Sequence, residues 1–224
     1  MGRPLDLISE VPYTAFITPH TKEEMIELVA QQKGRLPPNQ RAIDSILGWG
    51  TQHGGIVMRL PHVSKEKWSL TVDGEVENPT TFDWAGFMAL PQVESISDFH
   101  CVEGWSVLDQ RWEGVLFKDL ATTIKPKSTA KYAWFECYDT YTTSLPLERL
   151  MDDDVIITHR LNGEDLPQPL GGPVRMIVPK LYAYKSPMWL KKITFMTKDR
   201  LGYWESGYYS NTADPWKNDR YRRA

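Results

Sequence analysis

Apolar and polar residues trade places along this chain in two rhythms. TKEEMIELVAQQ (21–32) spaces its apolar positions as a helix does, and Thr21 with Glu24 makes a capping box at its start. KGRLPPNQ (33–40) breaks that helix, and GWGTQHGG (48–55) reads as a glycine-rich loop around His53. Beyond it a one-in-two alternation takes over. WSLTVDGEVENP (68–79) sets Trp68, Leu70 and Val72 against polar neighbours and offers Asp73-Gly74 as a hairpin turn. ESISDFHC (94–101) predicts a strand running into Cys101. KYAWFECYD (131–139), DDVIITHRLNGEDLP (153–167), GPVRMIVP (172–179) and WLKKITFM (189–196) read as further strands, with Asn162-Gly163 a hairpin turn in the second. Short helices are predicted in TFDWAGFMALPQ (81–92), stopped before Pro91, and in EGVLFKDLATTI (113–124). The tail GYWESGYYSNTADPWKNDRY (202–221) is irregular, polar and aromatic, and is expected to pack over the core. With no repeat, low-complexity tract or linker, the expectation is one α+β domain over 1–224, dominated by strands.

Composition changes that picture at a few points. Nine Trp and ten Tyr exceed ordinary usage, and such rings serve a heavy core or line a ligand cleft. A net charge of −3 argues against nonspecific nucleic-acid binding, which needs a basic face, and the terminal RYRR is expected to be a solvated tail. No stretch approaches the ~18 apolar residues of a membrane span, so no membrane partner is expected. The first residues lack an apolar leader or twin arginine, and two cysteines build no disulfide scaffold; the expected location is cytoplasmic.

One of those cysteines stands in SDFHCVEGWS (97–106). In an extended strand Cys101 shares a face with Phe99 while His100 points away, which disfavours a Cys–His nucleophilic pair between neighbours. Glu103 has the wrong charge to activate a thiol. There is no Cys-x-x-Cys and no His-x-x-x-His, and Cys137 is far along the chain, so a zinc site is weakly supported. Buried packing and ligation of a soft metal whose other donors come from a cofactor both stay open.

SDFHCVEGWS, RWEGVLFKDL (111–120), YDTYTTSLPLE (138–148), NGEDLPQPLGGPVRMIVPKLYAYKSPMWLKKI (162–193) and GYWESGYY (202–209), in that order, resemble the molybdopterin-binding domain of the sulfite oxidase family. The likeness runs from about Leu36 to Trp216 and is nearest to the stand-alone, single-domain sulfite-oxidase-like oxidoreductases, with the catalytic subunit of periplasmic methionine sulfoxide reductase a more distant relative. The resemblance implies a strand-rich, mixed-sheet fold of the sulfite-oxidase type and a molybdenum-molybdopterin cofactor. Cys101 matches the cysteine that ligates the metal, and Tyr141 the tyrosine beside the metal-bound oxygen. Arg175, in GGPVR, matches a cofactor-contacting arginine that can give phosphate two parallel hydrogen bonds, with Gly171 and Gly172 allowing close backbone approach. Lys185 and Ser186 match the next contact segment. His53 resembles a histidine that enters the pterin pocket, and Cys137 falls at a pterin-contacting position. The implied activity is two-electron oxygen-atom transfer on a small substrate such as sulfite or a sulfoxide.

Two positions depart from the family pattern. Glu103 stands where sulfite oxidases carry a basic segment, and Arg111 is the candidate to replace the missing charge. Met188 stands where close relatives have a lysine. There is no Cys-x-x-Cys-His haem attachment, so electrons are expected to pass to or from an external donor or acceptor protein. The departures also leave open a non-catalytic molybdopterin carrier or interaction module that keeps the fold.

Overall fold

A computed structural model describes residues 34–222 except 51 and 53. The helix expected at 21–32 and His53 lie outside the described residues. Every element below belongs to the compact unit Leu36–Ala224.

The expected strands are present, gathered into two sheets. The first contains β1 (Arg41–Ala42), β4 (Val93–His100), β5 (Trp105–Leu116), β8 (Ile156–Leu161), β9 (Glu164–Asp165) and β10 (Arg175–Ile177). Its centre is the pair β5–β8, extended by β10 beyond β8, while β4 and β1 both pair with β5. The second runs in the order β3 (Thr80–Asp83), β2 (Ser69–Gly74), β11 (Leu190–Met196), β6 (Tyr132–Cys137), β7 (Thr142–Pro146). Both sheets are mixed: β1–β5 and β2–β11 are parallel and the other pairs antiparallel.

Alternation explains the inward faces. Leu70 and Val72 of β2 are buried, as are Leu190, Ile193 and Phe195 of β11, whose phase slips at a bulge between Leu190 and Lys192. β8 turns into β9 at Asn162 and Gly163, both at positive φ, as a tight two-residue turn between strands demands. The β2–β3 hairpin also forms, but Asp73-Gly74 is not its tip. Those two residues continue β2 against Thr194 and Phe195 of β11, and the chain reverses over 75–79.

Helix α1 (Trp84–Met88) is capped by Asp83, whose Oδ1 accepts from the Gly86 amide at 2.7 Å. Helix α2 (Phe117–Ile124) buries Phe117, Leu120, Ala121 and Ile124, one stripe at helical spacing. Phe117 packs on Phe135 of β6 and Phe195 of β11. Helices α3 (Leu147–Leu150) and α4 (Tyr203–Gly207) are single turns. A smaller apolar cluster joins Phe99, Cys101, Trp105, Val107, Trp112, Ile156 and Ile177 at the first sheet. Cys101 therefore sits at the edge of a core, in the turn between β4 and β5.

The RYRR tail is not simply solvated. The Arg220 guanidinium donates to the carbonyls of Val102 and Asn39, and the Arg222 amide donates to Tyr208 O at 2.8 Å. Backbone carbonyls left over by the β4–β5 turn supply what the charge pattern could not reveal.

Candidate active site

The turn at residues 101–104 is built from backbone bonds. The Cys101 amide donates to Trp105 O at 2.8 Å, and the Gly104 amide donates back to Cys101 O at 3.1 Å. Phe99 and Cys101 line one cleft, while the His100 ring turns to Ser106, Nδ1 to Oγ 2.8 Å. The cleft has a volume of about 250 Å³ and is walled by aliphatic side chains and by aromatic rings, among the latter Trp49, Phe99, Trp105, Tyr184, Trp204 and Tyr209. Cys101 is 9% exposed, and burial pushes its thiol up to about 12, so without a metal it is neutral.

Arg175 leaves β10 into the same cleft at 2% exposure. Its Nη1 donates to Leu170 O at 2.9 Å, Nη2 to Ser186 O at 3.1 Å and Nε to Met176 O at 3.4 Å, and it lies 5.3 Å from the Phe99 ring centroid. A guanidinium has five N–H groups, so two remain uncommitted. Among the described residues no carboxylate pairs with it, and burial lowers its pKa to about 9. A buried cation without a counter-charge is costly, and an anionic ligand in the cleft removes that cost.

Tyr141 follows Asp139 around the β6–β7 turn, its amide donating to Asp139 Oδ1 at 3.0 Å. Both line the cleft. The Tyr141 hydroxyl donates to Tyr184 O at 2.5 Å, and burial holds its pKa well above the ordinary value. Burial also lifts Asp139, to about 6. Ser186 lines the cleft while its Oγ accepts from the Val178 amide at 2.9 Å.

Two expected contacts are placed elsewhere. Cys137 is buried beneath the wall, and Asp139, two residues on, reaches the cleft instead. Lys185 points away from the cleft. Its ammonium donates to Ser144 O at 2.9 Å, Asn211 Oδ1 at 2.9 Å and Glu205 Oε1 at 2.5 Å, which uses all three hydrogens. Glu205 is fully buried and also accepts from Thr143 Oγ1. Removing one member of such a pair strands the other charge, so Lys185→Met is expected to destabilise the cofactor-free chain by about 3 kcal/mol in urea unfolding. The double variant Lys185→Met/Glu205→Gln should recover part of that loss. A cofactor contact would behave in the opposite way, weakening loading while leaving the cofactor-free chain as stable as before.

The glycines of GGPVR serve the chain's own packing. A Cβ on Gly172 would lie 2.1 Å from Leu166 O, and one on Gly171 2.7 Å from Met188 Cβ. Met188 thus fills space beside Gly171 and lines the cleft as an apolar group. Arg111 does not enter; on β5 its side chain faces Glu94 of β4 at 3.5 Å, in solvent. Glu103 does line the cleft. Asp139, Tyr184, Trp204 and Arg220 were not singled out from the sequence. The first lies two residues before Tyr141, and the aromatic run GYWESGYY was the available signal for the wall.

No group of three or more His, Cys, Asp or Glu among the described residues is placed to hold a metal. Among the described residues Cys101 thus belongs to no cluster of metal ligands, and a cofactor would supply a metal's other donors. A lone sulfur donor and an uncompensated guanidinium in one aromatic cleft fit molybdopterin, which brings its own dithiolene sulfurs and a phosphate.

Comparison with known proteins agrees. Residues 57–204 match the family model described as oxidoreductase molybdopterin binding domain. The chain is 36% identical over 192 residues to the uncharacterized oxidoreductase YuiH of Bacillus subtilis, covering 86% of this chain and 94% of that protein. It is 28% identical to the protein-methionine-sulfoxide reductase catalytic subunit MsrP of Burkholderia mallei, covering 79% of this chain but only 60% of the relative. The sulfane dehydrogenase SoxCD from Paracoccus pantotrophus shares the fold, with a TM-score of 0.59 at 22% identity over 66% of this chain and 42% of that one. The chain belongs to the oxidoreductase molybdopterin-binding domain family, an enzyme of the sulfite-oxidase-like type whose cofactor is molybdenum-molybdopterin.

Proposed function

We propose that this enzyme transfers an oxygen atom to or from a small sulfur compound, and that a neutral sulfoxide suits its cleft better than sulfite. When bound, the molybdenum cofactor supplies a two-electron centre able to exchange an oxygen atom. Cys101 would hold the metal and Arg175 the anionic part of the cofactor; both line the cleft, as does Ser186. The observation that carries the substrate preference is the charge of the remaining wall. Arg175 is tied to backbone carbonyls and Arg111 is on Glu94, and the rest of the lining is aromatic and aliphatic apart from Ser186 and the carboxylate residues Asp139 and Glu103. An anion entering there loses hydration and meets carboxylates, whereas a neutral sulfoxide stacks on rings and needs only a hydrogen-bond donor. The relative named as a methionine-sulfoxide reductase supports the same direction.

Tyr141 is the donor of choice, by exchanging its bond to Tyr184 O for one to the substrate oxygen. Reduction of a sulfoxide consumes two electrons and two protons and yields a thioether and water. The electrons come from an external donor protein, and Asp139, which lines the same cleft as Tyr141, is the carboxyl we assign to pass a proton. The test is steady-state turnover of loaded enzyme with reduced viologen and a dialkyl sulfoxide, against sulfite with ferricyanide. The expected result is a kcat/KM at least about tenfold higher for the sulfoxide. Faster sulfite oxidation would overturn the preference.

A further inference from the structure

Three of the four carbonyls in the 101–104 turn are claimed from outside it. Gln40 Nε2 donates to Cys101 O at 2.9 Å, the Arg41 amide donates to Gly104 O at 3.0 Å, and the Arg220 guanidinium donates to Val102 O. Arg220 makes more than a single contact. Its other terminal nitrogen donates to Asn39 O at 3.1 Å, its Nε donates to Asn218 Oδ1 at 2.8 Å, and it stacks 5.3 Å from the centroid of the buried Tyr182 ring. Among the described residues no carboxylate pairs with it. All three nitrogens are thus spent on fixing geometry.

The segment carrying Arg220 is itself anchored. Ser210 N donates to Arg220 O at 3.0 Å, Ser210 Oγ donates to Asp219 Oδ2 at 2.6 Å, and Tyr209 bridges to Tyr221. Tyr208 and Tyr209, at the other end of that pairing, line the cleft. Arg220 lies beyond residues 57–204, outside the stretch matched to the family model.

We propose that Arg220 is a positioning residue for the Cys101 sulfur, its guanidinium fork locking the turn that carries the thiol to the C-terminal segment that walls the cleft. Its importance for the metal rests on the reading of Cys101 as ligand; the lock itself does not. A planar fork reaches Val102 O and Asn39 O together, which a lysine's single nitrogen or a glutamine's amide at that distance does not reproduce.

The test uses Arg220→Gln and the milder Arg220→Lys. In cofactor-free protein, iodoacetamide labelling mapped by peptide mass should rise about tenfold at Cys101 in both, the response of a turn that opens locally. Labelling at Cys137, which is buried in β6, should stay unchanged. In loaded protein, the electron paramagnetic resonance spectrum of the half-reduced molybdenum should shift from that of wild type in both variants. Unchanged Cys101 labelling, an equal rise at Cys137, or full rescue by lysine would each overturn the proposal, as would an unshifted spectrum. If Arg220→Gln does not fold, Arg220→Lys decides. Wild type that takes up no molybdenum would refute the ligand reading, and the labelling would still decide the lock.

Discussion

Cys101→Ser, made in a molybdopterin-producing host, is expected to retain on the order of a hundredfold less molybdenum than wild type, because a lost ligand costs at least what a lost partner behind a ligand costs. Turnover should fall with the metal. The contrast between thiolate and hydroxyl makes the argument. Sulfur is a soft donor whose proton leaves when a metal arrives, even from a site where burial has pushed it up to about 12. A serine hydroxyl is harder and holds its proton far more strongly. No neighbouring cluster among the described residues can take over. The fold should survive, since every hydrogen bond of residue 101 described above uses its backbone. Chemical denaturation of the cofactor-free variant is expected within about 1 kcal/mol of wild type, as befits the swap of one small side chain at a core edge. Metal retained at full occupancy would sink the ligand assignment and return Cys101 to the small apolar cluster around Trp105.

Much of this was legible in the residues, for reasons that differ from place to place. Strands with one wet face, such as Ser69–Gly74, announce themselves by alternation, and Asn162-Gly163 can scarcely be anything but a turn between strands. Trp105–Leu116 does not announce itself as one strand, and its last four residues belong to the run expected to be helical, because it pairs with three neighbours and its burial keeps no regular period. The strand Thr142–Pro146 is not among those that alternation predicts, because threonines and a serine suggest solvent. In the structure Thr143 and Ser144 are buried, bonded to Glu205 and Asp199. Period-two reasoning placed Phe99 and Cys101 together, and the cleft contains both. The resemblance pairs Lys185 with Ser186, and of the two only Ser186 lines the cleft. Lys185 ends a short 3₁₀ turn, where successive side chains point about a third of a turn apart, so a neighbour of a cleft residue faces Glu205. Arg220 was invisible because its partners are backbone carbonyls about 120 and 180 residues away.

Arg175→Met tests the other half of the site, and its expected result depends on whether cofactor is present. In the cofactor-free chain two effects oppose. The substitution removes a cation that burial disfavours strongly enough to bring its pKa to about 9. It also frees the carbonyls of Leu170, Ser186 and Met176. Orphaned carbonyls cost about 1–3 kcal/mol each when no water reaches them, so the net change is a modest destabilisation. In the loaded enzyme nothing opposes. The two N–H groups not bound to protein are lost as charge-assisted donors to the cofactor, at about 1.5–3 kcal/mol each, which lowers retention roughly a thousandfold. Because ligand binding adds to stability in proportion to the logarithm of its excess over Kd, wild type should gain thermal stability on loading and Arg175→Met should gain almost none. Arg175→Lys separates charge from geometry. It keeps the cation, but one ammonium cannot bridge Leu170 O and Ser186 O while also forking towards a phosphate, so pterin content between those of wild type and Arg175→Met is expected. Pterin measured fluorimetrically after acid oxidation reads all three proteins on one scale. If Arg175→Met held cofactor as tightly as wild type, the uncompensated guanidinium would be a structural brace for the 170–186 segment, and the cofactor's negative charge would have to be met by another group.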